Sequence, residues 1–220
     1  MKKILERLTS SAGWSLIGLV LAILALEFTQ FLLVSPIAAL FSELPADERH
    51  YVSSMLAMGF TRLLQIACIY VVAVKSEAIF IPPFKPTFSL TIMIGGSALL
   101  YAVVFLGIYI QTQQGTLAAV QRLSLFLTIQ TIIGPLAEEL FFRGILYAAM
   151  RSKFNVIVSA ISSSLLFAAA HLLGEMPLEW LIMPFAGSLI MSFIYEKGKS
   201  LPLCASLHMI FNMVAIVASA

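Results

Sequence analysis

The stretch that decides the fold is LSLFLTIQTIIGPLAEELFFRGILYAAM, residues 123–150, which is almost wholly apolar yet contains two adjacent glutamates and an arginine. As one straight helix it would measure about 42 Å, too long for a bilayer core of about 30 Å. Pro135 cannot donate a backbone hydrogen bond and suits the first turn of a helix. The sequence therefore predicts a break or re-entry near Gly134-Pro135.

The rest of the chain shares this apolar character. Of the 220 residues, 60% are hydrophobic and 11% are charged, against about 45–50% and about 25% in soluble domains. So few charges exclude a soluble enzyme, a secreted disulfide scaffold and a nucleic-acid binder. The net charge of +2 is too small to indicate a polyanionic partner. Cys68 and Cys204 lie in apolar runs, so we expect buried hydrophobic side chains rather than a disulfide or metal ligands.

Seven apolar runs approach the length of a membrane span, which predicts an all-α polytopic membrane helical bundle of about seven transmembrane helices, with at least one broken or re-entrant segment. The runs cover residues 13–33, 51–74, 88–110, 123–150, 154–173, 178–195 and 201–218. Joints between runs are predicted at Ser35-Pro36, Pro82-Pro83 and Lys197-Gly198-Lys199. We expect a single membrane-embedded domain over residues 1–220, in which residues 1–115 have no assigned role and residues 116–220 form the catalytic core.

The basic residues predict an orientation. With the N-terminus inside, the cytoplasmic segments hold nine lysines and arginines and the outer segments hold two, a clear positive-inside bias. The nine are Lys2, Lys3, Arg7, Lys75, Lys85, Arg151, Lys153, Lys197 and Lys199, and the two are Arg49 and Arg122. The basic start resembles a signal peptide, but Glu27 and the long apolar continuation favour a retained helix. We expect a multi-pass protein of a prokaryotic cell membrane with a cytoplasmic N-terminus.

Ionisable groups inside a span are costly and usually face a cavity or a partner. Those in the apolar runs are Glu27, Arg62, Glu138, Glu139, Arg143, His171 and His208. Glu27 and Arg62 could pair across the first two helices, or each could extend from a helix end to the membrane interface.

Helical phase separates the two adjacent glutamates. Glu139 and Arg143 are four residues apart, the spacing of a good ion pair. Glu138 points about 100° away from Glu139 and about 140° from Arg143, so it has no cation on its own helix. A helix starting near Pro135 would hold both glutamates in its first turn, where the helix dipole favours carboxylates. A buried structural cluster is the alternative, but an unpaired intramembrane carboxylate favours a functional Glu138.

Two further pairs show helical spacing. Phe167 and His171 are four residues apart, as are His208 and Asn212. An imidazole and a carboxamide on one helix face can donate hydrogen bonds to a single point. A lone histidine on an apolar helix is more often a core residue, but two histidines together with Glu138 and Asn212 favour a polar site.

Together these motifs resemble a known family. Glu138-Glu139-x-x-x-Arg143-Gly144, then Phe167-x-x-x-His171, then His208-x-x-x-Asn212 are similar to the signature motifs of the CAAX protease and bacteriocin-processing family. This family is also called the ABI family, and it includes the type II CAAX prenyl endopeptidases. The matching motifs span residues 138–212, about a third of the chain.

The resemblance implies an intramembrane glutamate protease that hydrolyses a peptide bond without a cofactor or metal. Glu138 would be the general base that activates water, His171 would bind and orient that water, and His208 and Asn212 would form the oxyanion hole. The supporting residues would be Glu139, Arg143 and Phe167.

The same residues are compatible with several substrates and with two alternative functions. The expected substrate is a membrane-associated protein or peptide, such as a prenylated tail, a bacteriocin leader or another membrane protein, and no nucleic acid is expected. One alternative is a zinc protease with His171, His208 and Glu138 as ligands. The other is a non-enzymatic immunity, scaffold or proton-coupled transport protein. The residues do not predict an oligomeric state.

The linear topology predicts an offset within the site. Glu138 and His171 would lie toward the outer side, whereas His208 lies only seven residues into the last run. The expected separation is roughly 15 Å along the membrane normal. Broken or tilted helices would be needed to join these residues.

Overall fold

The computed structural model describes residues 12–76, 88–112, 117–174 and 176–219, which form helices and short connections without a strand. Seven helices in these ranges are long and apolar enough to cross a membrane. Their bounds are α1 Ala12–Ala39, α2 Ala46–Ser76, α3 Phe88–Thr112, α4 residues 117–151, α5 Val156–Ala170, α6 Ile182–Gly198 and α7 Leu201–Ser219. The predicted polytopic helical bundle is confirmed.

Large apolar side chains cover the outside of the bundle. Leu32, Leu40 and Leu178 each leave about three quarters of their surface uncovered by protein. In water this exposure would be unfavourable, whereas the hydrocarbon of a bilayer accommodates it. The protein is therefore a multi-pass membrane protein, and its orientation stays a prediction, partly because Lys2, Lys3, Arg7 and Lys85 lie outside the described residues.

Local signals set the ends of α5 and α6. Asn155 precedes α5 in an extended conformation, and its side chain accepts a hydrogen bond of 2.9 Å from the Val158 amide, as expected of an N-cap. At the end of α6, Lys199 adopts a left-handed conformation with φ 46°, and its amide donates to the Tyr195 carbonyl at 2.8 Å. The predicted joint at residues 197–199 is confirmed.

The predicted joint at Ser35-Pro36 is wrong. Helix α1 continues through Pro36 and ends at Ala39. Pro36 removes one backbone hydrogen bond, to the Leu32 carbonyl, and the helix continues for only three residues after it. The predicted joint at Pro82-Pro83 lies outside the described residues.

Helix α4 changes its hydrogen-bond pattern along its length. It is α-helical over Leu117–Thr128, Gly134–Glu139 and Ala148–Arg151, and π-helical over Ile129–Ile133 and Leu140–Tyr147. The predicted interruption at Gly134-Pro135 is thus a change of helix type on both sides of that pair. No re-entry occurs, because the wider π turns keep the chain helical past a residue that cannot donate.

This continuity corrects one expectation. Glu138 and Glu139 lie within a continuous helical path, with Ile133, Gly134 and Leu140 all in right-handed helical conformation. The two glutamates therefore do not occupy the first turn of a new helix, and no exposed row of amide groups faces them.

Helix α4 is also the centre of the packing. Three buried apolar clusters hold the bundle together, and each includes residues of α4. The first joins α1, α2, α4 and α5 through Ile23, Ile69, Phe141, Phe142, Ile145 and Phe167. The second joins α4 through α7 with Tyr147, Ala160, Met191, Tyr195, Leu201 and Cys204. The third joins α3, α4 and α7 with Val104, Leu127 and Met213.

A polar cluster fastens one end of α4 to α6. The Tyr147 hydroxyl donates to Glu196 Oε2 at 2.8 Å, and Lys199 Nζ donates to the same oxygen at 2.8 Å. Arg151 Nη2 lies 3.1 Å from Glu196 Oε1. We call these four residues the Glu196 cluster.

Candidate active site

The second glutamate of the pair, Glu139, is the centre of a buried ionic cluster. Its Oε1 accepts hydrogen bonds from Arg143 Nη1 at 3.0 Å and from His208 Nδ1 at 2.8 Å. Glu139 and Arg143 are each 1% exposed. The ion pair predicted from the four-residue spacing is present, and His208 of α7 joins it.

Arg143 connects this cluster to α6 and to the aromatic residues. Its Nη2 donates to the Ser188 carbonyl at 2.9 Å and lies 2.8 Å from the Ser188 hydroxyl. Its guanidinium carbon lies 5.2 Å from the centre of the Phe167 ring, a cation–π distance. Two buried polar atoms of this ion pair have no hydrogen-bond partner among the described residues, Glu139 Oε2 and Arg143 Nε.

The first glutamate, Glu138, faces a different set of partners. Its Oε2 lies 3.7 Å from His208 Nε2, and its Oε1 lies 3.6 Å from Nη2 of Arg62 on α2. Both separations exceed hydrogen-bond length. About a fifth of the Glu138 side chain stays uncovered by protein. As predicted, Glu138 pairs with no cation of its own helix, but α2 provides one.

Arg62 is held in place by a closed set of hydrogen bonds between α1 and α2. Its Nη1 donates to Glu27 Oε2 at 2.5 Å and to Gln65 Oε1 at 2.9 Å. The Gln65 amide in turn donates to Glu27 Oε2 at 2.8 Å. The Glu27–Arg62 pair considered from the sequence is therefore formed.

Phe167 lies between the two histidines. Its ring centre is 4.8 Å from that of His171 and 5.7 Å from that of His208. His171 Nδ1 donates to the Phe167 carbonyl at 2.9 Å, since a carbonyl can only accept. Phe167 thus contacts both histidines, and among the described residues the histidine that forms a close pair with the glutamates is His208.

Asn212 compensates for the missing N–H of Pro135. In the π segment, the Gly134 amide donates to the Ile129 carbonyl, five residues earlier. The next such bond would join residue 135 to the Gln130 carbonyl, but proline has no N–H. Asn212 Nδ2 donates to that carbonyl instead, at 2.8 Å. The second hydrogen of this carboxamide has no partner among the residues that the structure describes.

Two expectations from the sequence concern these positions. His208 Nδ1 bonds to Glu139 and one Asn212 hydrogen bonds to Gln130, so donation to a single point by His208 Nε2 and the second Asn212 hydrogen stays a prediction. The expected offset of roughly 15 Å between Glu138 and His208 is wrong, since Nε2 of His208 lies 3.7 Å from Oε2 of Glu138. The reason is that Glu138 lies near the middle of α4 rather than toward its outer end.

The zinc alternative finds no support in the geometry. Within the described ranges, no three His, Cys, Asp or Glu side chains are grouped closely enough to hold a metal ion. The two cysteines are free, with Cys204 buried and Cys68 partly buried.

Sequence reasoning missed several participants. Arg62 carried a signal, since a charged residue inside a span needs a partner, but its approach to Glu138 depends on how α2 packs on α4. Ser188 and Gln130 contribute a hydroxyl and backbone carbonyls, which no sequence pattern marks.

Comparison with known proteins agrees with the motifs. Residues 119–214 match the family described as "Type II CAAX prenyl endopeptidase Rce1-like", which confirms the predicted resemblance to the CAAX protease family. The chain is also 27% identical over 117 residues to "Putative membrane peptidase YdiL" of Bacillus subtilis (strain 168). That match covers 53% of this chain and 46% of the relative, so the chain aligns with less than half of that protein. No solved structure gives a significant match.

Proposed function

We propose that this protein is an intramembrane endopeptidase that uses Glu138 to activate water against a peptide bond of a membrane-associated protein or peptide. The family match over residues 119–214 and the membrane-peptidase relative support the reaction class. The observation that carries the proposal is the environment of Glu138. Its carboxylate is partly uncovered, lies between Arg62 and His208, and has both nearest partners beyond hydrogen-bond length, so its oxygens can accept from a water.

The chemical step requires one base and donors for a developing negative charge. The water oxygen forms a bond to the peptide carbonyl carbon while a proton of the water passes to Glu138. The tetrahedral intermediate then collapses, the C–N bond breaks, and Glu138 returns the proton to the leaving amine. The products are a carboxyl terminus and a free amine, so no oxidant or cofactor is needed.

The two histidines present different atoms to such a reaction. Because His171 donates from Nδ1 to the Phe167 carbonyl, its neutral ring offers the Nε2 lone pair, which can accept from a water. His208 donates from Nδ1 to Glu139, which fixes the ring. Its Nε2 stabilises an oxyanion when it also carries a proton, and Glu139 then balances the imidazolium charge. The free amide hydrogen of Asn212 is the second oxyanion donor.

Replacing Glu138 by glutamine tests the proposal. The purified full chain in lipid nanodiscs is incubated with a library of quenched fluorescent peptides and with extracted membrane proteins, and new termini are identified by mass spectrometry. We expect wild type to cleave, and Glu138→Gln to lose cleavage by at least about 100-fold while its melting temperature stays close to that of wild type. The matched control is Glu48→Gln, which removes an acid paired with Arg122 at 2.6 Å.

Two results would contradict this function. Full cleavage by Glu138→Gln would exclude Glu138 as the base. A wild type that cleaves nothing, combined with a cellular phenotype that depends on Glu138, would favour the non-enzymatic alternative.

A further inference from the structure

We infer that Arg62 is a positioning residue of this site, whose guanidinium holds the Glu138 carboxylate in the orientation from which it takes a proton from water. The inference rests on the proposed function. It adds a residue from helices α1 and α2, which lie outside the region that matches the protease family, residues 119–214.

The hydrogen bonds of Arg62 determine which of its nitrogens faces the site. Both hydrogens of Nη1 are used, one by Glu27 and one by Gln65. Nη2 is the nitrogen nearest Glu138, at 3.6 Å from Oε1. A guanidinium is planar and its donors are fixed relative to one another. Anchoring Nη1 therefore aims Nη2 at the glutamate.

Packing keeps this donor at a constant place. Ile23 and Ile69, from α1 and α2, are buried in the same apolar cluster as Phe141, Phe142 and Phe167. This cluster joins the two N-terminal helices to the helices that carry the glutamates and His171. The position of Arg62 relative to Glu138 is therefore fixed by a shared core and not by the ion pair alone.

The charges indicate that Arg62 interacts with both Glu27 and Glu138. Glu27 lies at Nη1 and Glu138 at Nη2 of one guanidinium, and the three side chains are each about a fifth exposed or less. Attraction is strong in such a low-dielectric setting, and so is repulsion between unscreened carboxylates. Without Arg62 the site would hold two carboxylates with no cation between them, and Glu138 would be free to turn toward His208.

The experiment compares two substitutions that break the same short ion pair. Arg62→Gln removes the Glu27 contact and the cation that faces Glu138. Glu27→Gln removes the negative charge of the same pair but leaves the cation, still held by Gln65. Arg122→Gln is a further control, because it breaks an interhelical pair of 2.6 Å with Glu48 that does not involve Glu138.

Cleavage of a quenched peptide found for wild type is the first measurement. We expect Arg62→Gln to lower kcat by about 100-fold, the size of a mispositioning effect, with KM nearly unchanged. Arg62→Lys should recover part of kcat, Glu27→Gln should lose far less, and Arg122→Gln should match wild type. Equal losses in Arg62→Gln and Glu27→Gln, or an unchanged kcat in Arg62→Gln, would overturn the inference and leave the proposed function intact.

A double-mutant cycle on thermal unfolding is the second measurement and needs no substrate. If Arg62 holds Glu138, the shifts in melting temperature of Arg62→Gln and Glu138→Gln are not additive in the double variant. Additive shifts mean that the two side chains do not interact, and they refute the inference. Should wild type cleave nothing, the proposed function fails, and this cycle alone decides whether Arg62 holds Glu138.

Discussion

Two glutamates of this protein are each surrounded by cationic groups, yet they are satisfied to different degrees. In the Glu196 cluster, both oxygens accept from Tyr147, Arg151 or Lys199, and about a fifth of the side chain is uncovered. Glu139 is 1% exposed, and both of its bonds fall on Oε1 while Oε2 has no partner among the described residues.

The comparison shows where in the molecule polar atoms lack hydrogen-bond partners. In the Glu196 cluster both carboxylate oxygens accept hydrogen bonds, which suits a cluster that fastens α4 to α6. In the middle of the bundle, Glu139 Oε2, Arg143 Nε and both oxygens of Glu138 lack close partners among the described residues. Unsatisfied polar atoms are costly when buried. We therefore interpret this region as one that water and substrate complete.

The largest expected effect comes from removing the arginine that pairs with Glu139, and the matched change in the Glu196 cluster should be small. Arg143→Ala leaves Glu139 charged, buried and without its guanidinium, so the free energy of unfolding should fall by about 3–5 kcal/mol. Arg151→Ala acts on a pair exposed enough to be screened, and should cost about 1 kcal/mol or less. Denaturant unfolding in mixed micelles measures both. Equal losses would show that burial does not distinguish the two clusters.

An intermediate effect is expected from Asn212. Asn212→Ala leaves the Gln130 carbonyl unpaired and should cost about 1–3 kcal/mol of stability. Pro135→Ala restores a backbone N–H that can reach the same carbonyl, so the double variant should recover much of that loss when melting is measured.

Cleavage by the same variants separates the structural role of Asn212 from a role in the reaction. If the second amide hydrogen of Asn212 stabilises the oxyanion, the double variant should recover stability while cleavage stays reduced by about 100-fold or more. Recovery of both stability and cleavage in the double variant would mean that Asn212 has only a structural role, like the residues of the Glu196 cluster.

The smallest effect should follow from Tyr147→Phe. This change removes one hydrogen bond to Glu196, which keeps Arg151 and Lys199 as donors. We expect a loss of about 1 kcal/mol and unchanged cleavage, measured by the same unfolding and peptide assays. A large loss of activity would connect the helix ends to the site and contradict the separation of the two clusters.

Much of the fold could be predicted from the sequence because bilayer thickness imposes a length on every apolar run. The Glu139–Arg143 pair could also be predicted, since it depends only on helical spacing within α4. Contacts between helices could not. Arg62 meets Glu138 because α2 packs on α4 through Ile69 and its neighbours, and no local pattern encodes that approach.

The hydrogen-bond pattern of α4 could not be predicted from the sequence either. Length and Pro135 predicted an interruption but could not distinguish a break from a π segment, since both accommodate a residue without an N–H. The answer depends on Asn212, 77 positions further along the chain, which supplies the missing donor to Gln130.

The π segment Ile129–Ile133 has a consequence for how this chain tolerates changes in length. Glycine suits position 134, because a Cβ there would make a tight contact of 3.0 Å with the Ile129 carbonyl oxygen. The wider π turns hold about five residues where an α-helix holds about four, so deleting a single residue between 129 and 133 would allow an ordinary α-helix to form with Glu138 still facing Arg62. Deleting one residue from the α-helical part Leu117–Thr128 would instead turn everything after it by about 100° relative to everything before it. Glu138 would then face away from Arg62 while the apolar surface of α4 stayed equally apolar.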